Sequence, residues 1–175
     1  MATYASSLQA VHRPTAPGCY LISNTIDIAV ENVNNAAALA ANDILKIFTL
    51  PKDTLIMAAG FEVEALLTGE SNDTTFNLGI TAASTGGIAA DVDEFVAAMD
   101  TDAMAVGSYA TMIPGVYPNV VGSTTTTLDL ELQAAGTAPT GGKMRVWAVL
   151  MNIDNPGSCL LYTSPSPRDT QYRVC

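Results

Sequence analysis

The sequence predicts an all-β domain, an antiparallel β-sandwich of the jelly-roll sort carrying one short helix. Three observations predict it. Apolar and polar residues alternate with period 2 over several separate segments bounded by Gly, Pro and Asn, the pattern of half-buried strands. Charged residues make up 14% and aromatics 6% of the chain, which is rich in Ala, Thr, Val and Leu and so suits packed sheets with lightly charged outer faces. One segment, beginning at Asp91, carries a helical apolar period. A chain of 175 residues is one domain by length, able to bury roughly 70% of its unfolded surface without a metal or disulfide staple.

In chain order, residues 1–18 hold Pro14, Pro17 and Gly18 and no periodicity, so they form an extended N-terminal arm ahead of a sandwich domain at 19–158. Residues 20–30 form the first strand, with Tyr20, Ile22, Ile26, Ile28 and Val30 on one side and Ser23, Thr25 and Asp27 on the other. Residues 31–42 are a loop with one helical turn in its Ala run, which is too short for a stable helix. Residues 44–67 then read as a core hairpin joined at Leu50-Pro51-Lys52-Asp53, the element around which the rest is organised. In its second strand Leu55, Met57, Ala59, Phe61, Val63 and Ala65 share the inward face while Glu62 and Glu64 point outward.

A polar turn at 68–73 leads to a strand at 74–81 with Phe76, Leu78 and Ile80 inward and Asn77 and Gly79 outward, completing a three-strand meander. A Gly-rich loop at 81–90 precedes the helix, where Asp91 caps, Glu94 closes a capping box, and Val92, Phe95, Val96 and Met99 make the apolar face. Residues 104–112 form a weak strand, and 113–118 turn because two prolines interrupt them. Residues 124–133 form a strand with Leu128, Leu130 and Leu132 inward and Asp129 and Glu131 on the wet face. Residues 144–153 are apolar on both faces, marking a central strand or one whose second face another subunit covers. The candidate core and assembly residues are Leu55, Met57, Phe61, Val63, Phe76, Leu78, Leu128, Leu130, Val146 and Trp147.

The formal charge of −10, with seven scattered Lys and Arg, excludes nucleic acid as an expected partner. No run of 18 apolar residues and no signal-peptide pattern is present, so no membrane partner is expected and synthesis is in a cytoplasm. The single histidine, His12, lies in the arm, and no nucleophile, metal or phosphate motif occurs, so no catalytic residue, metal or cofactor is expected. The acidic pairs Glu62/Glu64 and Asp129/Glu131 read as wet strand faces. Asp91/Asp93 and Asp100/Asp102 flank the expected helix, without the spacing of a calcium loop. The Asn72-Asp73-Thr74 sequon matters only in a eukaryotic secretory pathway.

From Cys159 to Asp169 the composition changes to CLLYTSPSPRD, which resembles, codon by codon, the translation of a transposase sequencing adapter. Residues 159–175 are therefore expected to be an artefactual, disordered tail on an environmental sequence. Cys19 is then the one remaining cysteine, and no disulfide framework is available.

Taken together, DILKIFTLPKDTLIMAAGFEVEAL, TTFNLGI, DVDEFVAAMD and TTTTLDLELQAAGTAPTGGKMRVWAVLMNID resemble small virion structural proteins of tailed bacteriophages of marine metagenomes, over about residues 25–154. The resemblance is one of pattern and order. It implies an all-β subunit without enzyme activity, located in the virion, made in the bacterial host cytoplasm, and assembling with itself and with other virion proteins. The expected role is a capsid decoration or head-accessory subunit in a homo-oligomer such as a trimer, with the arm gripping the shell. The alternative is a carbohydrate-binding or adhesive sandwich, as at a fibre tip, with a cleft lined by Tyr109, Tyr117 or Trp147. A hydrolase ranks last and requires two acids converging in one pocket.

Overall fold

The computed structural model describes residues 2–4, 9–10, 18–69, 74–101, 104–111 and 119–153. The expected turn at 113–118, Tyr117, Asp102, the Asn72 sequon, His12 and the tail at 159–175 lie outside them.

Strands dominate the described residues. In chain order they are β1 (Thr3–Tyr4), β2 (Gln9–Ala10), β3 (Cys19–Asp27), helix α1 (Ile28–Asn34), β4 (Asp43–Leu50), β5 (Thr54–Thr68), β6 (Thr75–Ile80), β7 (Asp91–Asp100), β8 (Tyr109–Thr111), β9 (Asn119–Val121), β10 (Thr126–Ala134) and β11 (Gly141–Asn152). One sheet runs β1-β4-β10-β6-β7, with β2 also on β4; the other runs β3-β11-β5-β8, with β9 also on β5. Between them lies one core that includes Phe48, Phe61, Phe76, Phe95, Leu78, Leu128, Leu130, Val146 and Leu150, all buried. The described parts of the arm pair with β4 of their own chain, and they do so in parallel, so the first sheet is mixed. Asp43 ties the arm down: its carboxylate accepts from Ala2 N at 2.6 Å and from Ala40 N at 2.9 Å.

The 44–67 segment is not a hairpin. β4 and β5 belong to different sheets, and Pro51-Lys52-Asp53, with Asp53 at φ 54°, carries the chain from one to the other. The path returns to the first sheet at β6, so the expected meander does not form either. Alternation cannot tell these cases apart, because a strand half-buried in either sheet shows the same period.

Within β5 the inward face also changes parity. Thr54 and Ile56 are buried, then Ala59, Phe61 and Val63, whereas Met57 is 39% exposed and Leu55 is half-buried. Val149 of β11 pairs with Ala58 and Leu150 with Ile56, so Met57 is the extra residue of a bulge and swings outward. The expectation that Leu55 and Met57 point into the core is corrected by this one-residue slip.

The expected helix at Asp91 is strand β7, paired antiparallel with β6. Phe76 faces Met99, Leu78 faces Val96 and Ile80 faces Asp91, so β7 spends three and then five residues where β6 spends two. These inserted residues space the apolar positions three to four apart and imitate a helical period. Ala98 sits at φ 45° inside one irregularity, and its N–H is held by Asn77 Oδ1 at 2.6 Å. Gly79 is required here, since an added Cβ would stand 2.2 Å from the Asp91 carbonyl oxygen. The helix forms instead at Ile28–Asn34, where Asp27 accepts from Ala29 N and Val30 N as the N-cap, and Val30 becomes 51% exposed.

Asp129 and Glu131 are not on a wet face. β10 is central, between β4 and β6, and the two side chains are 2% and 7% exposed. Asn77 donates to Glu131 at 2.7 Å, and Thr81 donates to Asp129 through both its backbone N–H, at 3.1 Å, and its hydroxyl.

Candidate binding and assembly face

β11 is central in the second sheet. Its even-numbered residues Met144, Val146, Ala148 and Leu150 are buried against the first sheet, so its odd-numbered residues line the opposite, outer face. The pairing with β3 and β5 arranges that face in rows. Met151 lies beside Cys19 and Leu55, and Leu55 beside Val120 of β9. Val149 lies beside Leu21 and Ala58, and Trp147 beside Ser23 and Gly60. Arg145 follows beside Thr25 and Glu62, with Tyr109 of β8 flanking Glu62.

The face is thus graded from apolar to charged. At the apolar end Leu21 is 65% exposed and Met57 is exposed beside half-buried Leu55, an arrangement that water alone does not favour. At the other end opposite charges pair, three acids against two bases. Arg145 pairs with Glu62 in close contact, and its Nε lies 3.5 Å from Glu64. Thr25 donates to Glu64 at 3.1 Å, and Lys143 lies 3.1 Å from Asp27. Glu62 first, then Glu64, hold the Arg145 guanidinium even more firmly protonated than usual. Lys143, together with backbone donors of α1, holds the Asp27 carboxyl below the usual carboxylate range.

Between the two ends is a shallow depression of about 370 Å³, lined by Leu21, Ser23, Glu62, Tyr109, Arg145 and Trp147. The structure therefore brings together Tyr109 and Trp147, which sequence analysis named as cleft residues. Trp147, named among the core and assembly residues, is half-buried on the outer face. Phe61, Val63, Phe76, Leu78, Leu128, Leu130 and Val146 are in the buried core. Arg145 was not singled out, although it stands two residues before Trp147 on one strand and so must share its face. Opposite charge on the outward positions Glu62 and Glu64 of a neighbouring strand was the available signal for the ion pair.

Two of the four sheet edges, β7 and β3, differ in kind. The β7 edge is broken by irregularities and carries Asp91, Asp93, Glu94 and Asp100, devices that discourage strand addition. The β3 edge runs nine residues in unbroken register with β11, and its only charge is the terminal Asp27. Among the described residues no cluster of three or more His, Cys, Asp or Glu could hold a metal ion, and no helix is long and apolar enough to cross a membrane.

No protein-family model matches the sequence, and no curated protein matches it. Two solved structures share the fold. A chain of the capsid of Ralstonia phage GP4 aligns with a TM-score of 0.61 at 19% identity, over 86% of this chain and 98% of that one. A chain of the cyanophage Pam1 capsid asymmetric unit aligns with a TM-score of 0.57 at 14% identity, over 82% of this chain and 91% of that one. At these identities the likeness is one of fold, and it spans nearly the whole of both capsid chains.

Proposed function

We propose that this chain is a bacteriophage virion structural protein without enzyme activity, a capsid decoration or head-accessory subunit that works by self-assembly and by binding the shell. The observation that carries the reading is the fold shared with capsid chains of two phages over 98% and 91% of their lengths. The residues agree with a mechanical role. A continuous core makes a rigid body, while apolar side chains are left on the outer face of the second sheet at Leu55, Met57, Val120 and Met151. In this reading that apolar end, together with the regular β3 edge, packs against neighbouring copies in a homo-oligomer such as a trimer, and the 1–18 arm helps hold the shell.

Sedimentation velocity on the full chain is expected to show a discrete oligomer, and co-sedimentation with shells of the parent phage to show binding. Met57→Glu, which places a charge at the apolar end without touching the core, is expected to dissociate the oligomer. Measured at dilution where both chains are monomeric, its unfolding free energy should stay within about 0.5 kcal/mol of the parent chain, as for an ordinary surface change. A strictly monomeric protein that leaves shells unbound would overturn the proposal.

A further inference from the structure

The geometry points to the Trp147 depression as a binding site for a neutral saccharide, a function separate from assembly. Its size lies at the lower end of the roughly 300–1,000 Å³ range of small-ligand sites, enough for a short oligosaccharide portion and not for a large cofactor. Its chemistry is that of pyranose recognition. The apolar faces of sugar rings, formed by axial C–H groups, pack on aromatic rings, and Trp147 and Tyr109 line one depression. Gly60 lies across from Trp147 and adds no side chain beside it. Tyr109 is 69% exposed, so its ring is free to meet a ligand.

The polar groups fit the hydroxyls. Arg145 is fixed between Glu62 and Glu64 and has guanidinium N–H groups beyond those two bonds, while Glu62 keeps a second acceptor oxygen and Ser23 adds a hydroxyl. A planar guanidinium and carboxylate held in one geometry present donor and acceptor at fixed spacing, the arrangement that vicinal hydroxyls complement. Because Glu62 and Glu64 together outweigh the Arg145 charge, an anionic ligand has no unpaired cation to meet here, which argues against the anionic class.

The chain contains one tryptophan, so its fluorescence reports on this site alone. Titrating the full chain with lactose, maltotriose and N-acetylglucosamine oligomers, alongside a neutral glycan array, should give a saturable shift of Trp147 emission with at least one of them. Affinity is expected at the weak end, with a Kd of about 1 mM or tighter. Tyr109→Ala and Arg145→Ala should each weaken it about tenfold or more while retaining the reporter, and Met57→Ala should leave it unchanged. No saturable shift with any saccharide, unchanged affinity in both variants, or emission that responds only to protein concentration would overturn the inference. That last outcome would mean that a second copy covers the depression. A chain that forms oligomers and binds shells yet binds no saccharide overturns this site and leaves the structural role standing.

Discussion

Replacing Phe61 with Ala will lower the unfolding free energy by about 3–5 kcal/mol, the usual cost of removing a buried aromatic ring. Phe61 is fully buried in β5, the strand that joins the largest number of partners in its sheet. It stands between Val146 of β11 and Ala110 of β8, so both flanking strands lose packing at once. Ala110 is too small to fill the space, and Val146 is itself fully buried in the core. The cavity therefore persists, and the cost adds a cavity term to the lost transfer energy. Urea unfolding followed by circular dichroism would measure it, with Met57→Ala as the comparison. Met57 is two turns of the strand pattern away and outward, so its truncation should change stability by less than about 0.5 kcal/mol. Equal losses in the two variants would show that the inward face of β5 had been misassigned.

That comparison also marks where the sequence was legible and where it was not. Phe61 and Met57 have the same parity along the chain, so period-2 reading puts both inside. Only the bulge between Ile56 and Ala58, created by pairing with Leu150 and Val149, separates them. A bulge is a property of two strands in register, and no single segment encodes it. The same limit explains β7, where irregular pairing with β6 spaced Val92, Phe95, Val96 and Met99 like a helix face. It explains the split of β4 from β5 as well, since sheet membership depends on which distant strand offers the better partner. β4 has β10 and β5 has β11, both far along the chain. What did not depend on long-range pairing was readable: the positions of β4, β5, β6, β10 and β11, the inward leucines of β10, and the two-faced apolarity of β11, whose outer face holds Trp147. The candidate site was half legible for the same reason. Tyr109 and Trp147 were conspicuous as residue types, but their meeting with Glu62, Arg145, Ser23 and Leu21 required the order β3-β11-β5-β8.

Asp129→Asn is expected to raise stability at neutral pH by on the order of 1 kcal/mol, the scale of the penalty for a poorly satisfied buried acceptor. The carboxylate is 2% exposed in the middle of the first sheet. Thr81 satisfies Oδ2 twice, whereas Oδ1 is buried without a partner, and the Thr127 hydroxyl stands beside the group. Burial pushes the carboxyl above its ordinary value of 3.8, against the opposing pull of the Thr81 hydrogen bonds, the nearby Thr127 hydroxyl and the charge of Lys46. An amide keeps an oxygen for Thr81, offers Thr127 a donor, and carries no charge to desolvate. The sign of the pH dependence follows. A folded-state value raised above the unfolded one means that the native state holds its proton longer. The stability Asp129 contributes is then fully present below pH 3.8 and is lost as pH rises through the folded value. Glu31, also raised by burial, acts in the same direction, and Asp27, lowered chiefly by Lys143, acts in the opposite one. The difference between the parent chain and Asp129→Asn removes both. Thermal unfolding of the pair across acidic to neutral pH should therefore show the variant's advantage growing from near zero at the acid end to its full value at neutral pH. An advantage independent of pH would assign the gain to packing instead of charge, and a loss of stability at neutral pH would mean that the ionised Asp129 is held by more than Thr81 and Lys46.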